Sequence, residues 1–214
     1  MATQLGSRLV YQNAKQLITR AGLSTGSAVL SQSFIRSELA MSLTKTMYQF
    51  PILVNDATAG TPTNTSNLLN LQDAFIVSQI GFFVAKPSSS TDTTFQLCTY
   101  PNAIIFSGSG TAAALYTFYN AKASLIVNNR QIVPSYSMYK HYSVPQTQDG
   151  SGTIDQQDGN ESGFTVVEPN IVLVGSKNNI LQVELPAAFA AIETNSRLIC
   201  IAYGILAQNC TPVR

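Results

Sequence analysis

Apolar positions follow two different periods along this chain. Over the first 45 residues they recur at helical spacing: Leu9, Val10, Ala14, Leu17, Ile18 and Ala21 share one side of a predicted helix, with Ser7 as its N-cap and Gly22 just past its end. A second helix is predicted from Ser33, where Phe34, Ile35, Leu39, Leu43 and Met47 recur on one side. The small-residue joint Leu23-Ser24-Thr25-Gly26-Ser27 separates the two. From Thr46 onward the pattern becomes short β-branched and aromatic runs between Gly, Pro, Asn and Ser clusters, the mark of strands and turns. The predicted strands are 46–54, 75–85, 94–99, 103–107, 115–120, 123–127, 130–133, 164–167, 171–174, 180–185 and 197–207.

So many strands exceed what one small sheet can use, and two packed sheets or a closed barrel are the natural solutions. Asn128-Asn129 predicts a tight hairpin, because Asn tolerates positive φ. Pro51 and Pro169 point to edges, bends or bulges. Leu185 to Ile192 reads as a helical turn or two, with Pro186 near its start. The chain thus divides into a helical arm, 1–45, and a β-sandwich domain, 46–214, carrying long polar loops at 57–67, 87–93 and 146–163. The arm either packs on the main domain or docks on a neighbouring subunit. In the second case, removing residues 1–45 leaves a folded β-domain that no longer assembles.

Charge sharpens this division. The chain has 12 Lys+Arg and 11 Asp+Glu, or 11% charged residues, in 214, where ~25% is usual. Ser 22, Thr 20, Asn 15 and Gln 15 take the place of the missing charges. With 45% hydrophobic residues a core can form, so disorder of the whole chain is excluded. Arg8, Lys15, Arg20, Arg36 and Lys45 face only Glu38 within the arm, a balance of +4, whereas residues 46–214 carry a balance of −3. A net charge of +1 argues against a dedicated nucleic-acid binder. No apolar stretch reaches the ~18 residues of a membrane span, and no Sec-type signal is visible at Met1. The three N-x-S/T matches, at Asn64, Asn160 and Asn209, read as chance in so Asn- and Ser-rich a chain.

Catalytic residue types are scarce. His141 is the single imidazole; a Ser/His/Asp triad would need it, and nothing in the spacing supplies one. It reads as a loop or interface histidine. Cys98, Cys200 and Cys210 have neither disulfide-framework nor zinc-knuckle spacing. Asp149, Asp155, Asp158, Glu161 and Glu168 form a run of carboxylates, but Ile154 and Asn160 occupy the EF-hand positions that need Gly and Glu, so the run reads as a solvated acidic loop. Ser107-Gly108-Ser109-Gly110-Thr111 has no following Lys and is a turn, not a phosphate loop. No cofactor is implied. Tyr116, Tyr119, Tyr136, Tyr139 and Tyr142 stand among small polar neighbours. Such tyrosines serve as a subunit interface, as a sugar-stacking face or as ordinary packing.

Taken over its whole length, the chain resembles viral coat proteins, particularly single jelly-roll shell or penton-like subunits of phage virions. The resemblance lies in composition and layout, and in phrases such as Leu71-Gln72-Asp73-Ala74-Phe75-Ile76-Val77 and Phe118-Tyr119-Asn120-Ala121-Lys122-Ala123. It implies a two-sheet jelly-roll-like sandwich with an N-terminal helical arm, located in the virion after assembly in the host cytoplasm. Its partners are then copies of itself and other virion proteins; nucleic acid is less favoured, since five basic groups in 45 residues are sparse. The interface is expected to draw on Arg8, Lys15, Arg20 and Arg36 of the arm, the five tyrosines, and Asp155, Asp158 and Glu161 as an acidic patch for the arm of a neighbour. A carbohydrate- or receptor-binding β-module of a fibre or adhesin, stacking sugars on the tyrosines, is the alternative.

Overall fold

The computed structural model describes residues 3–52, 69–127, 130–144, 147–148, 153–154 and 163–212. Helix α1 (Thr3–Arg20) leads through β1 (Leu23–Ser24) into the long strand β2 (Val29–Ala40). Then come β3 (Met47–Ile52), β4 (Ala74–Ala85), the short helices α2 (Thr111–Ala114) and α3 (Tyr116–Tyr119), β5 (Lys122–Val127) and β6 (Arg130–Ser137). A single 3-10 turn, Met138–His141, follows, then β7 (Thr147–Gln148), β8 (Thr153–Ile154), β9 (Phe164–Val174), β10 (Asn179–Glu184), β11 (Arg197–Gln208) and β12 (Thr211–Pro212).

The chain is mainly β, built as two antiparallel four-stranded sheets, β2-β11-β4-β9 and β3-β10-β5-β6. The pairs nest: β2 with β11, β3 with β10, β4 with β9, β5 with β6. This is the pairing of one long hairpin; β11–β4 and β10–β5 contacts fold it into two sheets. The sheets face each other across one core. Ile35, Phe75, Phe82, Val84 and Leu198 come from the first sheet, and Tyr48, Phe50, Leu125, Leu181 and Val183 from the second. The hairpin expected at Asn128-Asn129 is bounded by the pair Val127 and Arg130, the two Asn themselves lying outside the described residues.

Strand β4 shows how the pattern becomes structure. Phe75 and Val77 point into the core, and so do Ile80, Phe82 and Val84. The alternation changes phase between the two sets. Ser78 takes up the slip as the extra residue of a bulge, since Gln79 pairs with Tyr203 while Val77 pairs with Gly204. The Ser78 hydroxyl donates to the Tyr203 carbonyl at 2.9 Å. On the other flank the ladder jumps from Ile171 to Val166, leaving residues 167–170, with Pro169, as a bulge in edge strand β9. The two predicted strands 164–167 and 171–174 are therefore one. Pro51 likewise lies on an edge strand, β3.

Gly204 is required at this crossing, because a Cβ there would overlap the Ile76 carbonyl oxygen and lie 2.8 Å from its carbon. Gly204→Ala is expected to cost about 2–4 kcal/mol by forcing apart two central strands. Urea unfolding checks this, and an unchanged midpoint would disprove the close approach.

Several predicted elements are corrected. The second helix, from Ser33, is strand β2, paired with β11 from Val29–Gln208 to Ala40–Arg197. Ile35 and Ser37 face inward and are buried, while Phe34, Arg36 and Glu38 face outward, a period of two that the ladder to β11 imposes. Residues 29–40 thus belong to the sandwich and not to an arm. Ser7 lies inside α1, which is already helical at Thr3, because a helix once nucleated runs through single weak formers. Residues 115–120 are helical around α3; Leu115, Phe118 and Tyr119 are buried at i, i+3 and i+4. Residues 94–99 contribute only the bridge of Cys98 to Val84. At 103–107 the Asn102 side chain accepts from the Ile104 N–H at 2.9 Å and turns the chain, a local bond that displaces a strand. Residues 185–192 are not helical; the Leu185 N–H is held by the Thr46 carbonyl at 2.7 Å, and Phe189 packs on Tyr48.

The outer face of the first sheet is covered in two places. At one end, Ala14 and Ile18 of α1 are buried against Ile76, Val174, Ile205 and Ala207, with Leu17 and Ala21 at their flanks. This is the predicted stripe at i, i+3, i+4 and i+7, and the helix ends as expected at Gly22, φ +86. The second half of α1 is thereby seated on its own sheet. At the other end, Phe95, Leu97 and Phe164 cover Phe83, Ile199 and Ile201.

Candidate functional site

The sequence named five tyrosines, and the fold gathers them around the 3-10 turn after β6 and the helix α3. Tyr142 is the hub: its ring lies 6.1 Å from Tyr116, 5.5 Å from Tyr119 and 5.5 Å from Tyr139, the last a near-parallel stack at 12°. From Tyr119 the cluster runs inward through Phe118, Phe82 and His141 to Tyr136. It therefore has a wet end and a dry end. Tyr139 is 62% exposed and Tyr116 48%, whereas Tyr119 is fully buried and donates its hydroxyl to the Cys98 carbonyl at 3.0 Å. Tyr116, Tyr139 and the half-buried Tyr142 form the outward surface; Tyr119 and Tyr136 support it from below.

His141 sits at the dry end with no exposure. Its Nδ1 lies 2.9 Å from the Gly163 carbonyl, which only accepts, so Nδ1 carries the proton. Nε2 then accepts from the Tyr136 hydroxyl. Burial, above all, brings the imidazole down to about 4, with the Gly163 carbonyl opposing and nearby Lys140 assisting. A buried, neutral ring with both nitrogens used is a structural pin. It ties the 3-10 turn to the start of β9, where Gly163, φ +79, leaves no room for a side chain beside Thr99.

The remaining predicted residues are scattered. Lys15 and Arg20 are exposed on α1; the side chain of Arg8, on the same helix, lies outside the description. Arg36 is engaged within the chain, its Nη2 2.6 Å from Glu38. Arg197 reaches the other Glu38 oxygen at 2.8 Å and donates to the Ser90 carbonyl at 2.6 Å. Both guanidiniums lie near the Phe95 ring, 5.5 and 5.9 Å from its centre. This cluster holds the 86–98 segment on the outer face of the first sheet, a role invisible from spacing. Asp149, Asp155, Asp158 and Glu161 lie outside the described residues; Glu168 is exposed on the β9 bulge.

Burial pushes the Cys98 thiol up to about 11 and raises Cys200 and Cys210 as well. Among the described residues no three His, Cys, Asp or Glu side chains come together to hold a metal. No helix among them is long and apolar enough to cross a membrane. No protein-family model matches the chain, and no curated protein is similar to it.

Proposed function

We propose that this chain is a structural subunit of a virion, a coat or head-associated protein that works by packing against copies of itself and other virion proteins. The observation that carries the reading is the nested strand order, β2 with β11, β3 with β10, β4 with β9 and β5 with β6, divided between two facing sheets. This nested order supports a jelly roll, the fold that the resemblance to phage coat subunits implies. Fold alone hosts many functions, so the surface carries the rest of the argument. Tyr116, Tyr139 and Tyr142 present aromatic area with hydroxyl tips, well suited to contact between subunits. Low charge limits repulsion between identical neighbours. Lys15 and Arg20 are exposed on α1, which supports a contact between this helix and an acidic surface of a neighbour.

Sedimentation velocity with negative-stain imaging tests the proposal. The purified chain is expected to form closed rings or shells, and Tyr116→Ser with Tyr139→Ser to shift it toward small species with unchanged circular dichroism. Assembly unaffected by the double variant would remove the tyrosines from the interface. A wild-type monomer at all concentrations would overturn the proposal. One observation favours the carbohydrate-binding alternative: the Tyr139–Tyr142 stack offers a flat, exposed ring of the kind on which sugars rest. A glycan-array signal abolished by Tyr139→Ser, from a chain that does not assemble, would establish that reading instead.

A further inference from the structure

We infer that the space between the two sheets is a binding site for a single-chain anionic amphiphile of the fatty-acid class. A cavity of about 490 Å³ lies there, on the side where strands β6 and β9 form the sheet edges. This is well within the range of ~300–1,000 Å³ typical of small-molecule sites. Its inner wall is hydrocarbon, including Ile35, Phe50, Val77, Leu125, Leu181 and Ala202. Polar groups also line it: Ser37 and Cys200, paired across β2 and β11 and both buried, Thr165 on β9, and the buried Ser124 on β5. Protein interiors are otherwise close-packed, and wall atoms around a void lose their contacts. An apolar void of only ~150 Å³ already takes up benzene.

Shape selects the ligand. Every residue from Thr165 to Leu173 lines the cavity, so it follows β9 lengthwise. At ~3.3 Å per residue that course is on the order of 20 Å, allowing for the bulge. A compact ring would fill a fraction of it, whereas one extended chain fills it along its length. Each end carries a cation. Lys140, whose carbonyl is 3.5 Å from the Thr165 hydroxyl, lies at one end, and the half-buried Lys177, in the turn after β9, at the other. Glu168 lines the cavity from the exposed bulge midway between them. A carboxylate head is therefore matched at the ends and repelled at the middle, which aligns a fatty acid with the strand.

The test is fluorescence titration of the full-length, delipidated chain with cis-parinaric acid, with native mass spectrometry for stoichiometry. Saturable uptake of one molecule per chain is expected. Ala202→Phe, which puts a ring into the cavity, and the pair Lys140→Glu with Lys177→Glu are each expected to weaken it at least tenfold. Ile171→Trp fills the same space from an edge strand and serves as a second variant should Ala202→Phe misfold. Unsaturable uptake, or uptake unchanged in a folded filler variant, overturns the site. Equal affinity for the methyl ester of the probe overturns the anionic class. A diazirine-bearing fatty acid crosslinked to the wild-type chain locates the site without any variant: adducts on cavity-lining residues, within 35–37, 124–127, 165–173 or 200–202, support it, and adducts confined to residues away from the cavity refute it.

Discussion

A chain lacking residues 1–45 is expected to be insoluble or to give the circular dichroism of an unfolded polypeptide. The deletion removes β2, which pairs with β11 along its full length, together with the helix that covers one end of the first sheet's outer face. Ile18, Leu23, Ile35 and Met41 are all buried; at about 1.5–3 kcal/mol each their loss amounts to about 6–12 kcal/mol. That equals the whole stability of a typical domain, about 5–15 kcal/mol. The β11 edge and the inward faces of Leu198, Cys200 and Ala202 would also lose their neighbouring strand. A shorter deletion, of residues 1–21, takes only α1 and uncovers Ile76 and Ile205. It is expected to melt cooperatively at a lower temperature. A stable, cooperatively folded 46–214 fragment would show that β2 is dispensable and refute this account of the first sheet.

Acidification is expected to unfold the protein partly through His141. An exposed, unfolded-state imidazole has its usual value near 6.5, while in the fold it is brought down to about 4. The unfolded state therefore binds more protons between these values, so stability rises with pH across the window. The contribution is fully present above about 6.5 and is lost as pH falls toward 4, for a total of about 3 kcal/mol. Substituting His141→Phe keeps an aromatic ring beside Phe82 but leaves the Gly163 carbonyl and Tyr136 hydroxyl without their partner. At neutral pH it is expected to cost about 2–5 kcal/mol. Carboxylates titrate alike in both proteins, so the difference between their pH–stability curves isolates the histidine. That difference should narrow steadily from pH 7 to 4.5; parallel curves would show that His141 is not held neutral.

These elements also show how far the residues alone could be read. Strand β4 was legible because twelve mostly apolar residues bounded by turns leave little choice, yet its bulge at Ser78 was not predicted. The phase change in the apolar alternation was the available signal. Strand β2 was misread because Phe34, Ile35 and Leu39 also fit a helix; the partner that decides between the two periods, β11, is some 160 residues away. For α3 the reverse holds: Tyr116 to Tyr119 have strand-like composition, and the buried spacing of Leu115, Phe118 and Tyr119 was the overlooked evidence. The tyrosines were identifiable as a group but not by role, since burial separates Tyr119 from Tyr139. The cavity had no sequence signal at all, because it is made of side chains whose pattern matches ordinary core.

Strand β11 lies between β2 and β4, although both precede it by more than a hundred residues. On a ribosome, those two strands would emerge early and wait for the keystone that joins them. Until residue 208 clears the exit tunnel, each exposes an unpaired edge to any other strand nearby, including those of sibling chains. The first sheet is consequently completed only once residues 197–208 have been made, and its most hazardous interval is the stretch of synthesis between residues 85 and 197.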